Sequence, residues 1–232
     1  MESTDNQAQL NAIPSLGEDL SLETVASHLA KNHVVSRFVK AEPSPVGHLR
    51  DYSAQLRQAY EYFEQVAEEH RSLSYAAEWL LDNFYVIQQA INQIREDLPA
   101  GYYQRLPKLE GTELKGYPRV YALAQALVAY SEGPVEVSLV TQFLTIYQQT
   151  APLTMGELWA LPIMLRLVVV EKLVEVVNRV MDVSSRGEDL SSTEAFSRDL
   201  EEESRVSRCV LSLRNLSNQD WKKFFENNSL VE

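Results

Sequence analysis

The stretch PLTMGELWALPIMLRLVVVEKLVEVVNRVMD, residues 152–182, decides the fold. Thr154 and Glu157 have capping-box spacing: the hydroxyl can accept a backbone N–H at the third helical position, and the carboxylate can reach back to the cap's own N–H. A helix is therefore expected from about Met155 to Asp182. Beyond Pro162, residues Leu165, Val169, Leu173, Val176, Val177 and Val180 make a broad apolar surface, as a helix at the middle of a bundle requires. Pro162 cannot donate to the carbonyl of Leu158, so it is expected to kink the helix or to confine Glu157 to a short first piece. Glu157 and Arg166 are the polar residues in this apolar run. A buried arginine demands an acidic partner, and Glu157, Glu171, Asp82 and Glu78 are the candidates.

Outward from this stretch, apolar residues keep helical spacing and the Gly and Pro punctuators fall between the runs. Ser21 can cap a first helix reaching about Lys40, where AEPSPVG ends it. A second runs from about Gly47 to His70, with Leu49, Tyr52, Leu56, Ala59, Phe63 and Val66 on one stripe. A third, Ser74 to Leu98, buries Ala77, Leu80, Phe84, Ile87, Ile91 and Ile94 and stops at Pro99 and Gly101. A structured loop, 100–116, leads through Tyr117-Pro118 into a fourth helix ending near Glu132, and a fifth spans about Val135 to Thr150. After residue 183 the composition turns polar, with seven acids between Glu188 and Glu203. Two short helices, about Ser204 to Asn215 and Ser217 to Asn228, are expected to close the chain. The expected fold is all-α, an irregular bundle of about eight to nine helices without a sheet. Its expected parts are a disordered lead (1–20), a bundle core (21–183), a polar linker (184–192) and C-terminal helices (193–232) that continue into a larger polypeptide.

Composition removes several function classes. A net charge of −12 opposes binding to a phosphate backbone, whose affinity rests on Lys and Arg displacing counterions. His28, His33, His48 and His70 make no HxxxH or Cys-paired spacing, so no metal site is expected. Nucleotide-binding and acyl-hydrolase motifs are absent, and no cofactor is expected. Cys209 is the single cysteine, which rules out an intrachain disulfide. The most apolar window, Leu158–Val170, contains Arg166 and falls short of the roughly 20 residues that cross a bilayer.

Within residues 74–166 lie the side chains that could carry function. Glu78 and Asp82 stand one turn apart on the polar side of the third helix, with Trp79 and Asn83 on its flank. They could steer sugar hydroxyls, or form an ordinary solvated face. Tyr102, Tyr103, Tyr117, Tyr121 and Trp159 offer flat rings with polar edges, and Lys108, Arg105 and Arg119 offer donors, a mixture suited to stacking on sugars. The same rings serve equally to anchor loops. Two of Glu78, Asp82 and Glu157 could also act as a glycosidase pair. That requires carboxyl groups about 5 Å apart, or about 6.5–9.5 Å apart, across a cleft. A third reading is a protein-interaction adaptor docking through the third helix or the 100–116 loop.

The phrases AEWLLDNF (77–84), DLPAGYYQRLPKL (97–109), GYPRVYALA (116–124) and PLTMGELWALPIMLRL (152–167) together resemble the amino-terminal region of the cyclic β-1,2-glucan synthases. The resemblance is strong from about Tyr75 to Val177 and looser in the first two helices and in WKKFFENNSLVE. Tyr85 stands where a histidine would be expected. The resemblance implies part of a very large inner-membrane enzyme that builds β-1,2-glucan from UDP-glucose on the cytoplasmic side, trims it by phosphorolysis and closes the ring. In that family the sugar-transfer and phosphorylase parts lie downstream, so this region is expected to be non-catalytic. It would support assembly with other domains of the synthase and hold glucan or its primer. The candidate contacts are Glu78, Trp79, Asp82, Asn83, Tyr102, Tyr103, Lys108, Tyr117, Arg119, Glu157 and Trp159.

Overall fold

The computed structural model describes residues 20–36, 40, 42, 45–111, 114–185 and 193–229. In order these form α1 (Leu22–Asn32), β1 (Val34–Ser36), a 3₁₀ turn (Pro45–His48), α2 (Leu49–Glu68), α3 (Tyr75–Asp97), α4 (Ala100–Arg105), β2 (Lys108–Glu110), α5 (Arg119–Tyr130), α6 (Val137–Tyr147), α7 (Met155–Ser185), α8 (Thr193–Asn218) and α9 (Trp221–Asn228). The starts of α1, α3, α7 and α9 are set by side-chain caps. Ser21, Ser74 and Asp220 accept the backbone N–H groups of Thr24, Ala77 and Lys223. At α7 the box is reciprocal: Glu157 N donates to Thr154 Oγ1 at 3.3 Å, and Thr154 N donates to Glu157 Oε2 at 2.9 Å.

The all-α expectation holds, with one addition and three revised boundaries. The addition is a two-stranded antiparallel ribbon, β1 with β2, in which Val35 faces Leu109. It ends α1 at Asn32, well before Lys40, because the β-branched pair Val34-Val35 finds a strand partner 74 residues away in sequence. The expected 100–116 loop therefore contains a short helix and a strand. Gly116, at φ +87°, closes it, since a Cβ there would lie 2.9 Å from the Lys40 carbonyl oxygen. The helix expected from Ser204 to Asn215 is the second half of a single helix, α8, that starts at Thr193. Helix α7 runs unbroken through Pro162. The expected lead and the polar linker lie outside the described residues, apart from Leu20, Ser184 and Ser185.

Helix α7 is the hub, packing against α2, α3, α5, α8 and α9. Every residue from Ala160 to Val170 is buried, so this segment is apolar on all sides because it has neighbours on all sides. The exception in chemistry is Arg166, 5% exposed. None of its four expected partners pairs with it. Glu157 is engaged by Arg119, Glu171 by Tyr121, and Glu78 and Asp82 are exposed to solvent. Arg166 Nη2 instead donates to the Leu216 carbonyl at 2.8 Å, in the last turn of α8, and its Nε has no partner among the described residues. Burial lowers its proton affinity, and Asp97 opposes that shift. The Leu216 carbonyl also accepts from Trp221 Nε1 at 2.8 Å, so losing the arginine would not orphan it. Arg166→Met is therefore expected to be neutral or stabilising by about 1 kcal/mol in urea unfolding, because it removes a poorly compensated buried charge. A loss greater than that would contradict this account. No helix among the described residues is long and apolar enough to cross a membrane.

Candidate functional site

The candidate residues divide between a buried loop anchor and an open recess. The anchor forms where the loop before α5 meets the start of α7. Arg119, at the first position of α5, donates through Nε to Glu157 Oε1 at 2.8 Å and through Nη2 to Oε2 at 2.7 Å. This is the bidentate geometry that a planar guanidinium favours. Glu157 is fully buried, and burial acting alone would weaken the hold of Arg119 on its proton. The adjacent carboxylate reverses that effect and raises the arginine above its ordinary value. Tyr102 Oη donates to the Gly156 carbonyl, tying α4 to the same helix start.

Lys108 is 2% exposed and donates through Nζ to the Tyr103 and Leu106 carbonyls at 2.6 and 2.8 Å. Its ammonium lies 4.6 Å from the centre of the Tyr103 ring. Burial lowers its pKa to about 8. Tyr103 is also buried, and its hydroxyl has no hydrogen-bond partner among the described residues. Tyr117 is half-buried and stacks on Tyr121 at 5.5 Å. These residues satisfy the loop's own carbonyls and rings. Glu157, enclosed by Arg119 and Thr154, is unavailable as a glycosidase acid or base.

The recess lies on α3 and holds the other cluster. Tyr75, Glu78, Trp79, Asp82 and Asn83 line a hollow of about 410 Å³, closed on one side by Glu203 of α8. Glu78 and Asp82 are exposed and Trp79 is half-buried, so carboxylates and an indole face the same solvent-filled space. Asn83 is fixed rather than free. Its Nδ2 donates to the Trp79 carbonyl at 2.9 Å, and its Oδ1 accepts from Arg214 Nη2 at 2.7 Å. Arg214 also reaches the Tyr85 hydroxyl at 3.2 Å, which links α8 to the outer face of α3. Trp159 belongs to neither cluster: it is 57% exposed and stacks on Phe225 of α9 at 5.9 Å.

Three residues escaped the reading of the sequence as site residues. Glu203 and Arg214 sit on α8, and nothing local indicates that this helix crosses α3. Glu171 is different. It occupies the same stripe as Leu167 and Val174, and a lone carboxylate within an apolar stripe is a detectable signal. It accepts from Tyr121 Oη at 3.0 Å. Burial raises its pKa to about 7, against the lowering effect of that hydrogen bond.

No protein-family model matches the chain. A stretch of 133 residues is 37% identical to the cyclic β-(1,2)-glucan synthase NdvB of Rhizobium meliloti (strain 1021), covering 56% of this chain. The chain spans about 5% of the length of that curated relative. Over that stretch the chain is thus related in sequence to a region of the cyclic β-1,2-glucan synthase family.

Proposed function

We propose that this chain acts as a non-catalytic helical accessory domain of a cyclic β-1,2-glucan synthase, in the amino-terminal part of such an enzyme and on the cytoplasmic side of the bacterial inner membrane. It supports assembly of the synthase and holds glucan or a glucan primer near the glucosyl-transfer machinery, which uses UDP-glucose. The observation that carries this reading is the α3 recess, where Trp79 and Tyr75 stand beside Glu78, Asp82 and Glu203. A flat ring offers its face to the C–H side of a glucose unit, and carboxylate oxygens accept from its hydroxyls. The buried Arg119–Glu157 anchor ties the aromatic loop into the scaffold, which leaves the α3 recess to meet a sugar.

Titration with linear and cyclic β-1,2-glucans, followed by amide shifts, tests the recess. Saturable shifts are expected at Glu78, Trp79 and Asp82, with Trp79→Ala weakening binding by about tenfold, equivalent to about 1.4 kcal/mol. No shifts at millimolar glucan would leave the assembly role alone. One observation favours docking to other domains of the synthase: Trp159 and Met155 are exposed one turn apart at the start of α7, with Trp159 stacked on the Phe225 ring. Trp159→Ser is expected to leave the glucan titration unchanged while weakening association with the remainder of the enzyme.

A further inference from the structure

A second cleft, of about 380 Å³, opens between the C-terminal half of α7, α8 and the turn joining α5 to α6. Its lining reverses the sign of the chain. Against a net charge of −12, it gathers Lys172 and Arg179 from α7 and Arg205 and Arg208 from α8, with Glu175 as the lining acid. Residues 203 and 205 are two apart on α8, about 200° around a helix, so this cleft and the glucan recess occupy different sides.

We propose that this cleft binds a phosphoryl oxyanion, carried by a small solute or by a lipid headgroup.

Arg208 carries the argument. Its Nη1 donates to the Glu132 carbonyl at 2.7 Å and its Nε to the Ser204 carbonyl at 3.2 Å. These carbonyls hold the guanidinium without neutralising it, and its Nη2 has no partner among the described residues. Such a group is preorganised, so little side-chain freedom remains to be lost on binding. Lys172 lines the same cleft from the α7 side, with Cys209 of α8 in its wall. The other pairings are solvent-facing. Lys172 meets Glu175 at 3.2 Å, Arg179 meets Glu202 at 3.2 Å, and Arg205 meets Glu201 and, at 4.0 Å, Glu202. Exposed pairs of this kind contribute little, and a dianion that reaches several donors at once can displace them. Arginine forks suit phosphoryl oxygens in particular. The cleft's size admits a single head group. Polynucleotides are opposed by the charge of the rest of the surface.

The test uses amide spectra of the full chain titrated with inorganic phosphate, against sodium chloride at matched ionic strength. Saturable millimolar binding that shifts Lys172, Arg205, Arg208 and Ser212 is expected. Arg208→Gln and Lys172→Gln should each weaken it by about tenfold, with unchanged far-ultraviolet circular dichroism. In a second arm, co-sedimentation with phosphatidylglycerol vesicles, compared with phosphatidylcholine vesicles, separates the sources. Pelleting that both variants abolish identifies a headgroup, and phosphate binding without pelleting identifies a solute. The proposal is overturned if shifts follow ionic strength alone with no vesicle binding, or if both variants bind as the parent does. It is also overturned if a polyglutamate peptide, but not phosphate, moves these amides. Glucan titration is read at α3, so failure here is distinguishable from failure at the recess.

Discussion

Glu157→Ala is expected to lower the free energy of unfolding by about 3–5 kcal/mol, the range for breaking a buried ion pair from one side. Four donors converge on this carboxylate: Arg119 through Nε and Nη2, and Thr154 through its N–H and hydroxyl. Without it, Arg119 remains 5% exposed, held by the Pro152 carbonyl at 3.0 Å and the Tyr147 hydroxyl, neither of which supplies a compensating charge. The N-terminal box of α7 is undone at the same time. For a chain of this size each kcal/mol moves the melting temperature by about 2–4 °C, so a fall of roughly ten degrees is expected. Urea unfolding followed by circular dichroism measures it, and a loss below 1 kcal/mol would show that the pair is solvated. The double replacement Arg119→Met with Glu157→Leu is expected to recover most of the loss. That result would separate the cost of an orphaned charge from the worth of the pair.

The second large effect is in the pH dependence, where two groups oppose each other. Burial, helped by Arg119 and His28, lowers His33 from 6.5 to about 4, so the folded state keeps its imidazole neutral. Between those values the unfolded chain binds the additional proton, and stability falls as pH drops. Glu171 acts in the other direction. Its carboxyl is raised from 4.5 to about 7, so the folded state keeps the proton that the unfolded chain releases, and stability falls as pH rises through that window. Each contribution is about 2–3 kcal/mol, from about 1.4 kcal/mol per pH unit discounted for partial exposure. The two cancel in large part between about pH 4.5 and 6.5. The parent chain should therefore be less pH-sensitive there than either variant. Glu171→Gln should lose stability relative to the parent on acidification, and His33→Gln should lose it on the approach to neutrality. Unfolding midpoints at pH 4.5, 5.5 and 6.5 measure these slopes, and parallel curves for parent and variants would refute the assignment.

Much of the fold was legible because its signals are local. The cap at Ser21 and the box of Thr154 and Glu157 are each contained within four residues. The apolar stripe of α7 and the buried positions of α3 follow directly from 3.6-residue periodicity. The ribbon was not legible, since β1 has three residues and its partner strand lies beyond three helices. The split of the candidate residues was not legible either. Tyr103 and Trp159 are both aromatic residues near helix starts, yet one is buried over an ammonium and the other faces solvent.

The amino acids alone determined most of the helical segments, the capped starts of α1 and α7, and that α7 would lie at the middle of the bundle; the short helix α4 and the start of α8 at Thr193 were not among them. Only the tertiary structure decided who meets whom. Arg119 takes Glu157 from 38 positions away, Arg166 settles on the Leu216 carbonyl 50 positions away, and Glu203 closes a hollow opened by Glu78 and Asp82. The reason is physical: helix formation is governed by neighbours within one or two turns, whereas the partner of a buried charge is set by which surfaces the packed helices bring together.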